Sequence, residues 1–338
     1  MKLTARRHRV MTLAATLGLA IGLAMPSLAA PPTTGGATPA PSLELRPADR
    51  LALAQQSAML AAVRAGPRIV AVGERGVVLL SDDDGASFRQ AGEVPVSATL
   101  TSVSFVDEKR GWAVGHWGVV IQTDDGGQTW RLQRHDLNVD QPLLAVHFLD
   151  GKRGVAVGLW SLVITTHDGG KTWSPTPMAP LPGSKKADLN LYGLFPGAGG
   201  EVFACAEQGQ VLRSNDAGAS WQYLDTGYKG SLWAGLRLAD GALLVGGLRG
   251  TVMRSQDSGA TWHSVATNVR SSVTGLQQAA DGSVYASALD GIVLTSRDGG
   301  NHFTARQSSD RMPYTGFVLS QKGAPILLSR EGPKTQLP

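Results

Sequence analysis

The stretch TSVSFVDEKRGWAVGHWGVVIQTDDGGQTW (101–130) alternates short apolar runs with Gly- and Asp-rich turns, and its last eight residues recur throughout the chain. Six octads align without gaps: SDDDGASF (81–88), TDDGGQTW (123–130), THDGGKTW (166–173), SNDAGASW (214–221), SQDSGATW (255–262) and SRDGGNHF (296–303). The shared pattern is S/T-x-D-x-G-x-S/T-W/F, with His302 replacing the hydroxyl residue in the sixth. The aspartates Asp83, Asp125, Asp168, Asp216, Asp257 and Asp298 are spaced 42, 43, 48, 41 and 41 residues apart. A self-similar period near 42 marks an array of supersecondary units.

The residues between octads give the content of one unit. Before each octad comes a Gly-x-x-Gly-like turn and an apolar strand, as in VGERGVVLLS (72–81), VGHWGVVIQT (114–123) and GGLRGTVMRS (246–255). Two further apolar runs precede that turn, and a fourth short strand follows the octad. Four strands in about 42 residues are the size of a β-propeller blade. Seven innermost runs can be counted, the last at Tyr314–Ser320, so the expected fold is all-β: a seven-bladed β-propeller of four-stranded antiparallel blades over 49–338. Six blades is the alternative. The chain ends before a seventh octad, so the seventh blade should lack its own outer strand. Residues near Leu43–Leu45, or part of 49–57, are expected to supply it. Residues 49–64 also carry near-helical apolar spacing, compatible with a short helix. The segment 174–190, with four prolines and Lys185-Lys186, reads as a protruding loop.

The chain has 31 Lys+Arg, 27 Asp+Glu and a formal charge of +4. Four of those bases, Lys2, Arg6, Arg7 and Arg9, lie in residues 1–30, which contain no acid and carry the apolar run Met11–Met25. This segment reads as a secretory signal peptide, its apolar run short of the roughly 20 residues that span a bilayer. Residues 31–48, rich in Pro, Thr and Gly, read as a linker. Without the leader, 27 basic and 27 acidic side chains remain. That balance argues against a nucleic-acid binder, whose folded domain carries a basic excess. A single cysteine, Cys205, excludes an internal disulfide and reads as a core residue.

The octads resemble the Asp-box, or BNR repeat, of sialidases and related propellers. Their chemistry is local: the hydroxyl and Asp side chains accept backbone N–H groups of the turn, and Gly permits φ > 0. The aromatic residues, among them Trp130, Trp173, Trp221 and Trp262, are expected to pack between blades. The six aspartates are therefore structural. A sialidase-like glycoside hydrolase would need an arginine cluster, a Tyr nucleophile with a Glu partner and an acid/base Asp. None of the five tyrosines stands beside an obvious Glu in the sequence. No catalytic, cofactor or metal site is expected: the histidines lack H-E-x-x-H spacing, and Asp82–Asp84 and Asp124-Asp125 lack a full loop of calcium ligands.

Binding is expected elsewhere. The turns between the second and third strands emerge opposite the octads and form a crown around the channel mouth. Their tips carry Arg75, His116, Trp117, Trp160 and Arg249, and Trp and Arg are the residue types enriched at interface hot spots. The combination in 101–130, repeated at 143–173, resembles the photosystem II assembly and stability factor propellers of cyanobacteria and plastids over roughly 60–335. That resemblance implies an exported, non-catalytic, seven-bladed propeller, periplasmic or in a lumen, that binds newly made membrane-protein subunits. Similar propellers in non-photosynthetic bacteria imply a transporter as the partner complex instead. Arginines here are spread over the blades rather than concentrated in one patch.

Overall fold

The computed structural model describes residues 45–335, which form seven antiparallel sheets arranged in sequence as a ring of blades. The inner strands are Met59–Ala65, Leu100–Phe105, Leu143–Phe148, Leu191–Pro196, Leu232–Arg237, Val273–Gln278 and Tyr314–Leu319. Blade two shows the plan: Leu100–Phe105, Gly111–Gly115, Val120–Thr123 and Arg131–Arg134 pair in that order. The second strands of blades two to five are buried along their whole length. Each is covered on both faces by the neighbouring blades, and this is why they read as continuous apolar runs. Cys205 lies in one of them, fully buried, and burial pushes its thiol pKa up. The expected leader and most of the linker fall outside the described residues. Among those described, no helix is long and apolar enough to cross a membrane.

The ring does not close as expected from the sequence. Among the described residues the seventh blade has three strands, Tyr314–Leu319, Pro325–Ser329 and Gly332–Lys334, and no N-terminal strand joins it. Leu43 and Glu44 lie outside the described residues. Leu45 and Ala48 pack instead on the core between blades one and two, and the Ala48 N–H donates to the Val94 carbonyl at 3.0 Å. Leu51 N–H bonds Gln90 Oε1 at 3.0 Å, so this stretch follows the outer edge of blade one. Residues Ala54–Gln56 make a single 3-10 turn rather than a longer helix, and Met59 onward is already strand. The outer strand of blade seven contains Pro333, which has no N–H to offer a further strand. The segment 174–190 is not all loop as expected: Ser174–Pro175 pair with Thr165 and Ile164 as the outer strand of blade three, and the loop follows from 176, with Lys185 and Lys186 exposed. The loop is tied down where Tyr223 donates its hydroxyl to the Ala179 carbonyl at 2.8 Å.

The inner strands close the ring. Thr315 Oγ1 donates to the Met59 carbonyl at 2.5 Å, and Arg64 Nε to the Leu319 carbonyl at 2.8 Å. Arg64 also pairs with Asp84, whose carboxylate accepts the Gln321 N–H at 2.9 Å.

Candidate functional site

Each octad lies between the third and fourth strands, and its geometry is the same in every blade that has one. In blade two, Thr123 Oγ1 donates to Asp125 Oδ1 at 2.8 Å and accepts the Gly127 N–H at 3.0 Å. Asp125 accepts the Thr129 N–H at 2.9 Å and its hydroxyl at 2.6 Å. Asp83, Asp168, Asp216 and Asp257 repeat this pattern with their own hydroxyl partners. The Ser87, Thr172 and Thr261 hydroxyls, followed by the backbone N–H groups of the same residues, hold Asp83, Asp168 and Asp257 down to pKa values of about 2. In the sixth octad His302 Nδ1 lies 2.6 Å from Asp298 Oδ2, and that contact is the main cause of the lowered Asp298 pKa. Every carboxylate has its acceptor capacity engaged by its own turn. Trp130, Trp221 and Trp262 each donate Nε1–H to the box glycine carbonyl at 2.9–3.1 Å and pack between blades. Trp173 packs edge-on to Phe148 instead, at 5.8 Å.

The opposite face carries the crown. In six blades the turn tip holds a non-glycine residue at positive φ: Arg75 (52°), Trp117 (59°), Trp160 (53°), Gln208 (57°), Arg249 (59°) and Asp290 (61°). The following residue is also positive, usually Gly and in blade three Ser161, the signature of a type I′ hairpin turn. The glycine ahead of the tip is needed for close approach: a Cβ on Gly115 would lie 2.0 Å from the Thr99 carbonyl oxygen. Of the five residues expected to bind a partner, Arg75, His116, Trp160 and Arg249 are exposed. Trp117 is half-buried against the core between blades one and two, so part of its ring serves packing. Trp160 is 53% exposed, the second most exposed large hydrophobic residue among those described.

The crown surrounds a channel of about 820 Å³ lined by the inner strands. Each inner strand starts at the crown end, since its first residue pairs with the last residue of the second strand, as Leu100 does with Gly115. At that start every blade has a β-bulge, which leaves one residue out of register: Leu60, Thr101, Leu144, Tyr192, Trp233, Thr274 and Thr315. A bulge re-aims a side chain, and here it sets a ring of seven at the mouth. Tyr192 and Trp233 meet at 6.4 Å and 64°. Sequence reasoning missed both. The signal was the one repeat position whose residue type jumps from Leu or Thr to aromatic in two adjacent blades.

Tyr192 also corrects the expectation that no tyrosine has a Glu partner. Its hydroxyl donates to Glu207 Oε1 at 3.1 Å, and Glu207 further accepts the Asn190 N–H and side-chain amide. Burial, with the Glu207 charge adding to it, raises the Tyr192 pKa, so the phenol stays protonated. The residues lining the channel include no Asp, Glu, Lys or Arg. Among the described residues no three His, Cys, Asp or Glu side chains gather as a metal site.

Comparison with known proteins fits this geometry to a family. The family model described as Photosynthesis system II assembly factor YCF48 matches residues 87–245 and 132–332. The chain belongs to this family. It is 40% identical over 136 residues to Photosystem II assembly protein Ycf48 of Thermosynechococcus vestitus, covering 40% of this chain and 38% of that protein. Among solved structures, one described as YCF48 bound to D1 peptide superposes with a TM-score of 0.67 at 18% identity, covering 86% of this chain and 97% of the other. YCF48 from Cyanidioschyzon merolae gives 0.66 at 16% identity, covering 82% and 95%. At those identities the structures share the fold.

Proposed function

We propose that this chain is an exported, non-catalytic propeller whose crown holds a segment of a membrane-protein subunit during assembly, in the manner implied by relatives named for photosystem II assembly. The observation that carries the reading is Trp160, fixed at positive φ on a hairpin tip and left exposed beside the channel mouth. A large aromatic held rigidly in solvent is what a binding anchor requires. Arg75, His116, Trp117 and Arg249 extend the same face. The family name and a relative solved with D1 peptide supply the kind of partner: a photosystem subunit, or in a host without photosystems a transporter subunit. The carbohydrate-active alternative draws on the Tyr192–Glu207 contact alone, and the raised Tyr192 pKa and a lining without arginine or carboxylate weigh against it.

The test is capture of membrane subunits from detergent extract by the tagged chain. Trp160→Ala with Arg249→Gly should reduce recovery by tens of fold, the scale of losing a hot-spot residue of about 2 kcal/mol. Unchanged recovery with both variants folded would overturn the crown assignment.

A further inference from the structure

Tyr192 and Trp233, the two aromatic residues of the bulge ring, stand beside a carboxylate with no counter-charge. Glu207 is half-buried on the crown turn of blade four. Its Oε2 accepts the Asn190 N–H at 3.0 Å. Its Oε1 accepts the Asn190 side-chain amide at 2.9 Å and the Tyr192 hydroxyl at 3.1 Å. These donors are neutral, so they orient the carboxylate and leave its charge in place. A carboxylate offers about four acceptor positions, so it has capacity for a further donor. Asn190 Oδ1 in turn accepts the Trp160 N–H at 3.0 Å, which couples Glu207 to the turn that presents the exposed crown tryptophan.

Blade one separates the structural part of this arrangement from the rest. Glu74 holds the same place on its crown turn and accepts the Ala58 N–H at 3.2 Å, the counterpart of the Asn190 contact. There the next residue is Arg75, whose guanidinium pairs with Glu74 at 3.0 Å, and the bulge residue is Leu60. Glu331, on the turn of blade seven, pairs with Lys334 at 3.5 Å. In blade four the residue after the glutamate is the uncharged Gln208. Among the described residues Glu207 alone of these glutamates makes no ion pair. Holding a backbone N–H accounts for the glutamate in blades one and four. It does not account for the missing counter-charge, nor for a tyrosine in place of Leu60, set against Trp233 at 6.4 Å and 64°. The channel lining beside these rings contributes no Lys or Arg.

We propose, resting on the crown reading above, that Glu207, Tyr192 and Trp233 form a subsite for one arginine side chain of the segment that the crown holds. An aromatic face attracts a cation through its quadrupole, and a planar guanidinium can stack on a ring while its N–H groups reach a carboxylate. Two inclined rings with a carboxylate at the phenol end supply both partners together. The mouth is open, so each contact is worth little alone and their sum does the selecting.

The experiment uses the full chain, N-acetyl-argininamide and its uncharged isostere N-acetyl-citrullinamide, with NMR of the Trp233 indole N–H as the readout. The arginine probe should saturate at roughly tenfold lower concentration than the citrulline probe. Salt of about 1 M should erase most of that difference, since charges at an open mouth are screened. Gln208→Arg supplies from within the cation that Arg75 gives Glu74. It should bring the arginine probe down to the level of citrulline while Glu207 keeps its backbone contact. Glu207→Gln, which retains an acceptor for the Asn190 N–H, should do the same. Equal binding of the two probes by the unaltered chain, or an arginine preference that persists in both variants, would overturn the subsite. N-acetyl-lysinamide bound as tightly as the arginine probe would overturn the assignment to arginine. Membrane-subunit capture distinguishes this subsite from the crown reading. Capture undiminished in Gln208→Arg but lost in Trp160→Ala with Arg249→Gly would overturn the subsite's part in partner binding and leave the crown standing. Capture lost in neither would remove both.

Discussion

At the scale of single residues, the octad turns are the most economical devices in the chain, because one buried hydroxyl joins two loops of backbone. Thr123 is 1% exposed, and its Oγ1 is the acceptor for the buried Gly127 N–H. Thr123→Val keeps the shape and strands that donor, so urea unfolding should show a loss of about 1–3 kcal/mol. Thr123→Ser should be close to neutral, since four of the six octads begin with Ser. The aspartates give the turns a pH dependence. Asp83, Asp168 and Asp257 fall from an ordinary 3.8 to about 2 in the folded chain. A depressed carboxylate contributes stability that is fully present above its unfolded pKa and is lost as pH falls through the folded one. The thermal midpoint should therefore be flat with respect to these groups above about pH 5, and fall between pH 4 and 2. A midpoint still level at pH 2 would show that the turns hold without their carboxylates.

At the scale of elements, the crown turns separate folding from binding. Arg249 sits at φ 59° on an exposed tip, a conformation that costs a side-chain-bearing residue about 1–2 kcal/mol and glycine far less. Arg249→Gly should leave stability unchanged or raise it by up to about 1 kcal/mol while weakening capture of the membrane subunit. A loss of both together would mean that Arg249 supports the turn. The same turns show what was legible beforehand. Gly-x-x-Gly-like strings and octads locate most of the turns on either side of the third strands, because type I′ turns and side-chain-capped loops demand particular residues at particular places. The bulges at Tyr192 and Trp233 leave no such mark: a bulge costs one residue of register, and in an inner strand that is half-exposed on the lumen the alternation is too weak to reveal the slip. The contact between Tyr192 and Glu207, 15 residues apart, follows only once adjacent strands are aligned through that bulge.

At the scale of the whole molecule, the question is how a ring of blades with six octads and seven sheets is held shut. A missing outer strand in blade seven was legible from the count of octads; its replacement by a 3-10 turn was not, because it depends on backbone contacts rather than on residue type. The closing contact is narrow. Gly332 opens the last strand at φ 91°, and a Cβ there would stand 1.8 Å from the Gln55 carbonyl oxygen in the N-terminal segment. Gly183, in the insertion loop, has nearly the same φ, 89°, with nothing within 4 Å of a Cβ. Substituting each with Ala imposes the same backbone strain, so the difference between them isolates the closure. Gly183→Ala should cost about 1 kcal/mol in urea unfolding. Gly332→Ala should cost at least about 2 kcal/mol more, because either the N-terminal segment or the seventh blade has to move away. Loosening at that seam should also appear as faster hydrogen exchange at the Gln321 N–H, which bonds Asp84 across it. Equal losses for the two alanine variants would mean that the N-terminal turn lies beside the ring without fastening it, and that Thr315, Arg64 and Asp84 on the inner side carry the closure alone.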